Sequence, residues 1–246
     1  MGFFRTRLRG PGHRWSAVRR GAPDPIDRAL EAAAARYVGL HPRFRWYARV
    51  KYRMDPCYRT IARHIGEDSF TVDLGTGLGM LPVLLGELGG GRRALGVDWD
   101  RVKLRCGIHA SRGLRGVGLV EGDLRVFLLP ACDVITLVDV LHYYEASGQV
   151  EILRRCRAAL RPGGRLLIRE GDGARPGGAR LTRIVEWWAT RMGWNRGPGV
   201  RFRPIAELRA ALVGLGFRVD EDEVSGRFHP GNVLLVAGLE SVSGNS

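Results

Sequence analysis

Phe70-Thr71-Val72-Asp73-Leu74-Gly75-Thr76-Gly77-Leu78-Gly79-Met80 is the stretch whose reading decides the fold. Phe70 to Leu74 is β-branched and apolar around one acid, the pattern of a strand buried on both faces. Gly75, Gly77 and Gly79 then interrupt it at alternate positions. Met80 to Leu88 reads as a helix with Pro82 in its first turn, where amide donors are unpaired in any case. Glycine admits backbone angles closed to other residues and puts no Cβ between chain and ligand. Strand, glycine turn and helix therefore make a cradle for a cofactor.

The spacing narrows the ligand. A dinucleotide fingerprint, G-x-G-x-x-G, wants its third glycine at position 80; Met80 stands there and the glycine comes one place early, at Gly79. Outward from the turn, Arg93 to Asp98 reads as a second strand ending on an acid, where a carboxylate can accept hydrogen bonds from both ribose hydroxyls. Trp99 follows and could lie against an adenine face. Asp100 caps a helix to Arg112. Val117 to Glu121 is a third strand, with Asp123 and Leu124 just beyond it. Asp133 to Asp139 is a central buried strand running into Val140-Leu141-His142-Tyr143-Tyr144. A helix from Gln149 to Leu160 leads through the turn Arg161-Pro162-Gly163-Gly164 into a fifth strand, Arg165 to Glu170. Beyond a glycine-rich loop come a helix from Leu181 to Met192, a helix from Pro204 to Leu215, and strands at Phe217 to Val224 and Val233 to Ala237.

In this order D-x-G-x-G-x-G, the acids at strand ends, D-V-L-H at 139–142 and L-R-P-G-G-x-L-L-I at 160–168 resemble the motifs of class I S-adenosylmethionine-dependent methyltransferases, over about residues 67–238. The resemblance implies an α/β fold: a Rossmann-like doubly wound sheet of about seven strands with the last antiparallel, plus an N-terminal helical layer. It implies S-adenosyl-L-methionine as cofactor. Gly75, Thr76, Gly77 and Gly79 would pass its methionine part, Asp73 would help to hold the ammonium end, and Asp98 the ribose. Trp99, Asp123 and Leu124 would meet the adenine, and Asp139 would complete the site. D-V-L-H is similar to the small-molecule form of the fourth motif; the nucleic-acid amino-methylating form, Asn/Asp-Pro-Pro-Tyr, does not occur. Residues 45–56 resemble the entry to methyltransferases found beside aryl-polyene pigment pathways, which implies a small aromatic or polyketide-like acceptor, free or held on a carrier protein.

Methyl transfer from a sulfonium asks little of side chains beyond alignment and exclusion of water. A base is needed only where the acceptor loses a proton. His142, just past the central strand, is the best placed, since its unperturbed pKa lies near neutrality; a buried histidine bonded to backbone is the competing role. Tyr143 and Glu170, also at strand ends, are further catalytic candidates. Tyr47, Trp187, Trp188 and Trp194 are candidates for an acceptor pocket, with core packing as the alternative.

The chain divides into a basic arm (1–23), a helical cap (24–66), the cofactor-binding domain (67–240) and a short tail (241–246). The cap reads as three helices, the first capped by Asp24-Pro25 and ended by Pro42, the second from Arg43 to Arg53, the third capped by Asp55-Pro56. A lid and an inert packing layer both fit it. The net charge of +14 points towards nucleic acid, yet only Lys51 and Lys103 are lysines and the arginines are scattered. Such usage looks like base composition and argues against nucleic acid as partner; an RNA methyltransferase using the arm, and a cofactor-binding protein that does not methylate, stand as alternatives. Phe3 and Phe4 with the neighbouring arginines could touch an acidic membrane surface, although a solvated tail is favoured. Cys57, Cys106, Cys132 and Cys156 are far apart with no C-x-x-C, which argues against a metal site or disulfide framework and fits a cytoplasmic, reducing compartment. The apolar run Val126 to Tyr144 contains Pro130, Asp133 and Asp139, so it reads as a strand with its flanks, not a transmembrane segment. The basic N-terminus lacks the apolar core of a secretion signal.

The arm lacks apolar periodicity, so deleting residues 1–22 is expected to leave the fold and cofactor affinity unchanged. Salt-titrated binding of duplex DNA and RNA to both forms checks this. A steep salt dependence confined to the full-length protein would assign the arm to nucleic acid.

Overall fold

The computed structural model describes residues 24–174, 202–223 and 232–239. The arm, the helix expected at 181–192 with Trp187 and Trp188, Trp194 beyond it, and the tail lie outside the described residues. Strand β1 (Phe70–Leu74) pairs in parallel with β2 (Arg93–Asp98) on one side and β4 (Cys132–Val138) on the other. β3 (Val117–Glu121) extends the sheet beyond β2, and β5 (Leu160–Gly171) lies beyond β4. β7 (Asn232–Gly238) inserts antiparallel between β5 and β6 (Arg218–Glu223), giving the order β3-β2-β1-β4-β5-β7-β6. This is the Rossmann-like sheet of seven strands with one antiparallel member that the resemblance implies. The order reverses between β1 and β4, the switch point at which open α/β sheets bind ligands beyond their carboxyl ends.

Alternation along the strands decides what each face meets. Val134 and Leu167 point to one layer, built of α1 (Pro25–Ala35), α2 (Pro42–Met54), α3 (Cys57–Arg63), α4 (Met80–Leu88) and α5 (Arg101–Ala110). Val72, Leu74, Ile135, Leu137, Leu166 and Ile168 point to the other, built of α6 (Ala146–Ala159) and α7 (Ile205–Gly214). The rule carries polar residues with it. Asp73 and Thr136 are cross-strand neighbours on the first face. On β5, Arg169 shares the face of Leu167, whereas Glu170 shares that of Ile168.

The three N-terminal helices are bonded to the turn they cover. The Tyr37 hydroxyl donates to the Leu78 carbonyl at 3.0 Å and the Tyr52 hydroxyl to the Met80 carbonyl at 2.7 Å. The Tyr58 hydroxyl reaches the Met80 sulfur at 3.6 Å. From α1, Arg36 pairs with Glu87 on α4 and donates to the carbonyls of Ala110 and Arg112.

Several expected boundaries shift. Pro42 does not end the first helix, which stops at Ala35; it opens the second, where its missing N–H costs nothing and the His41 ring caps the Arg43 amide. The sixth helix begins three residues earlier than expected, at Ala146. The expected 161–164 turn is present as an irregularity within β5: the pairing with β4 skips from Leu160 to Arg165, and Gly163 takes the left-handed region. β4 stops at Val138, not Asp139, because Asp139 takes a φ of 58°.

Tyr52→Phe removes a donor from the buried contact that ties α2 to the start of α4. A loss of about 1–3 kcal/mol is expected. Denaturant unfolding followed by circular dichroism measures it, with Trp46→Phe, at a 61% exposed site, as the control that leaves stability unchanged. Equal midpoints for the wild type and Tyr52→Phe would show that the hydroxyl contributes nothing.

Candidate active site

Gly75, Gly77 and Gly79 all have positive φ, at 74°, 55° and 70°. At Gly75 space is the second constraint: a Cβ there would stand 2.4 Å from Cγ2 of Val140. The turn is tied to β2 by the Gly75 and Thr76 amides, which donate to the Val97 carbonyl at 2.8 and 3.0 Å. Asp98, buried at the tip of β2, accepts from the Gly77 amide at 2.7 Å through one oxygen and from the Asp100 amide at 2.8 Å through the other. A carboxylate offers about four acceptor sites, so two remain for a ligand's hydroxyls. Asp73 lies deeper. Its Oδ1 accepts from the Thr136 hydroxyl at 2.6 Å, and burial pushes its pKa up to about 6.

Beyond β3, Asp123 is clasped by Arg125, whose Nε lies 3.0 Å from both carboxylate oxygens; these bonds hold the Asp123 carboxyl below the usual range. Leu124 is buried beside it. Arg155 of α6 donates to the carbonyls of Leu124, Arg125 and Phe127 and so fixes this loop from below. Trp99 is half exposed at the mouth.

At the ends of β4 and β5 stands a buried pair. Nδ1 of His142 lies 2.7 Å from Oε2 of Glu170. The other Glu170 oxygen accepts from the amides of Val140 and Leu141 at 3.0 and 2.7 Å. His142 lies in a single 3-10 turn, Leu141–Tyr143, braced by Gln149, whose amide donates to the carbonyls of Leu141 and Tyr144. A carboxylate oxygen accepts, so in this contact Nδ1 is the donor, and Nε2 is the other ring nitrogen. The ring packs against Tyr143 and Phe202, at centroid separations of 4.3 and 4.8 Å.

On the other face of β5, Arg169 is fully buried and pairs with Asp139 and, at 3.2 Å, with Asp55. Lys51 of α2 lies 2.9 Å from Asp55 and 3.4 Å from Asp139. Burial opposes ionisation of Asp55, but Lys51 and Arg169 outweigh it and hold that carboxyl below its ordinary value. Tyr47 sits half-buried against this group, and burial raises its pKa. Asp139 is the non-glycine residue with positive φ among the described residues. That conformation costs about 1–3 kcal/mol and persists where surroundings over-determine it; here the Asp139 amide donates to the Arg169 carbonyl while its carboxylate meets the Arg169 guanidinium.

Thus Asp73, the glycine turn with Thr76, Asp98, Asp139, His142 and Glu170 converge at the ends of β1, β2, β4 and β5, with Asp123 and Leu124 at the next strand and Tyr143 half exposed. Lys51, Asp55, Arg169, Gln149 and Arg155 belong to the same region and are not among the site residues expected from the sequence. An arginine directly after the apolar run Leu166-Leu167-Ile168, still within the strand, is the available signal, together with the i,i+4 spacing of Lys51 and Asp55. Among the described residues no group of three or more His, Cys, Asp or Glu could hold a metal, and no helix is long and apolar enough to cross a membrane.

A cradle that a Cβ would fill, with a carboxylate of spare accepting capacity at the tip of the next strand, fits a nucleoside attached to a flexible polar chain. Sheet order, cradle and strand-end acids define a class I S-adenosylmethionine-dependent methyltransferase. Residues 69–208 match the O-methyltransferase domain, and the chain belongs to that family. It is 41% identical to mouse acetylserotonin O-methyltransferase over 101 residues, covering 41% of this chain and 25% of that enzyme. It is 32% identical over 181 residues to the ribosomal protein L11 methyltransferase of Thermus thermophilus, covering 73% of this chain and 56% of that one. The chain therefore spans between a quarter and about half of these curated relatives. Among solved structures, an O-methyltransferase family 2 protein from Planctomyces limnophilus in complex with apigenin superposes with a TM-score of 0.62 at 18% identity, covering 87% of this chain and 64% of that one. That likeness establishes the fold.

Burial of Asp73 has a pH signature. Below its ordinary 3.8 the group is protonated folded or unfolded and costs nothing. As pH rises through about 6 the folded state must ionise it in a dry site, and stability is lost. Asp73→Asn is therefore expected to be more stable than the wild type by about 2–3 kcal/mol at pH 8 and equally stable at pH 4. Urea unfolding at both pH values measures the gap; one that does not change with pH would contradict the assignment.

Proposed function

We propose that this chain is an O-methyltransferase of a small aromatic, hydroxyl-bearing acceptor, with His142 as general base. The observation that carries the reading is the buried His142–Glu170 pair beside the glycine cradle. S-adenosylmethionine supplies an already electrophilic methyl group. The chain's own part is to place a hydroxyl oxygen on its line of attack and to take the proton. Nε2 of His142 accepts from the acceptor hydroxyl, and the proton passes to the ring as the oxygen attacks. Glu170, held by two backbone amides, orients the ring and stabilises the imidazolium. Tyr143 and Phe202 flank the ring and keep water from it. Asp98 accepts from the ribose, and the loop of Asp123 and Leu124 borders the adenine. Tyr47, Trp187, Trp188 and Trp194 are proposed to line the acceptor pocket.

Two similarities support an aromatic acceptor: one relative is named for acetylserotonin, and one fold neighbour is complexed with apigenin. The pigment-pathway resemblance of residues 45–56 adds a polyketide-like acceptor to the same class. The arm of residues 1–23, the cap of 24–66 and the tail of 241–246 are proposed as appendages to the catalytic domain of 67–240, acting in the cytoplasm on a free or carrier-held molecule.

Incubation with methyl-labelled cofactor and a panel of flavones, hydroxyindoles and other phenols, read by mass spectrometry, tests the reading. An O-methylated product is expected. His142→Ala should lower turnover by roughly 10²–10⁴-fold and leave cofactor affinity nearly unchanged. Label entering only RNA or protein from a cell extract would overturn the acceptor class. Undiminished turnover in His142→Ala would overturn the base.

A further inference from the structure

The buried ionic group on the cap side of β5 is not used by the chemistry at His142. Among the described residues it contains two cations, Arg169 and Lys51, and two anions, Asp55 and Asp139, whose charges balance. Its members are not equally enclosed. The side chains of Arg169, Asp55 and Lys51 are 0%, 3% and 10% exposed, whereas that of Asp139 is 36% exposed. Asp139 thus forms the open edge of the cluster, and Lys51 is the cation next to that edge. Their mutual contact, 3.4 Å, is the longest of the measured contacts in the group.

Where this edge opens follows from the backbone. Asp139 is the residue immediately after β4, and the next side chain, Val140, is in van der Waals contact with the glycine turn at Gly75. The edge therefore borders the cradle on the side away from Asp98, which stands at the tip of β2. A ligand whose ribose lies at Asp98 and whose chain crosses the glycine turn ends at Asp139. Asp73, the acid in the turn's own strand, is only 4% exposed and commits an oxygen to Thr136. Asp139 is the more accessible of the two.

We propose that Asp139 and Lys51 form the subsite for the α-amino-acid end of S-adenosylmethionine, Asp139 receiving its ammonium and Lys51 its carboxylate. A zwitterion carries one charge of each sign, so it can replace the long Lys51–Asp139 contact with two complementary ones and leave the net charge at zero. Arg169 and Asp55 act as positioning residues. Arg169 holds the Asp139 carboxylate, and Asp55 holds the Lys51 ammonium from the cap side. Lys51 is then a cap residue that contributes directly to the cofactor site. The inference rests on the methyltransferase reading given above.

Calorimetry with two ligands separates the ends of the cofactor. S-adenosylhomocysteine has the amino-acid end; 5′-methylthioadenosine has the same nucleoside and sulfur without it. Asp139→Asn and Lys51→Met are expected to weaken S-adenosylhomocysteine at least tenfold and to leave 5′-methylthioadenosine within about twofold. Lys51→Arg, which keeps the charge, should bind both ligands within a few-fold of the wild type. Asp98→Ala should weaken both ligands alike. The affinity for 5′-methylthioadenosine also reports that each variant is folded. Parallel loss of both ligands in Asp139→Asn and Lys51→Met would show a merely structural role and overturn the proposal, as would no loss of either. A wild type that binds neither ligand would overturn the cofactor reading itself, a different outcome from failure of this subsite alone.

Discussion

Two adjacent residues of one buried strand, Arg169 and Glu170, carry opposite charges to opposite faces of the sheet, and neither can be left without partners. An ion stripped of water costs several kcal/mol unless it is paired and fully hydrogen-bonded. Much of the functional end of the molecule follows from meeting that demand. On one face Glu170 takes two backbone amides and the His142 ring, and this shapes the turn after β4. On the other, Arg169 takes Asp139 and Asp55, and this draws the N-terminal helices onto the strand ends. The period of two along a β-strand is what allows neighbouring residues to serve the His142 contact and an ionic cluster without competing.

The same contacts bear on what the N-terminal layer is. A lid that swings must break few strong contacts at its hinge. Here tyrosine hydroxyls reach the carbonyls of Leu78 and Met80, Arg36 reaches the ends of α4 and α5, and the Lys51–Asp55 pair reaches β5. Opening the layer would uncover these donors together with the tyrosine-rich core beneath it. The bonds to Leu78 and Met80 also brace the glycine turn from behind, where the glycines themselves supply no side chains to pack. A turn made permissive by missing Cβ atoms is thereby held in one conformation from outside, which preorganises the site for a ligand.

How much of this was legible in the sequence depended on how local the governing physics was. The strand, glycine turn and helix at 70–88 could be read directly, because an apolar run, positive-φ glycines and a first-turn proline each act within a few residues. Asp98 at a strand tip and His142 past the central strand followed from the same punctuation. Arg169 and its partners did not. Asp55 is 114 residues away in the chain, and no periodicity announces that an aspartate before a proline will meet an arginine in the fifth strand. Asp139 reads as the end of β4 because it closes an apolar run, whereas its left-handed backbone goes with bonds to Arg169 that only the folded sheet brings into place. Pro42 is ambiguous because proline both ends and begins helices. The Gly39-Leu40-His41 sequence before it permits either.

Charge placement also separates the two jobs of the site in energetic terms. The ionic group around Arg169 is rigid, balanced and mostly out of water, a poor source of stability, since such pairs roughly offset their own desolvation. Its worth is positional: it fixes the Asp139 and Lys51 side chains relative to β5. In the proposed reaction the His142–Glu170 pair has the opposite requirement, because its net charge would change by one proton during each turnover. Glu170 is anchored by amides, which are neutral dipoles, so the histidine can gain and lose its proton without an ionic partner being left bare. Placing the fixed charges on one face of β5 and the titrating pair on the other shields each from the demands of the other. On the proposed reading, a single buried strand supports both binding and proton transfer.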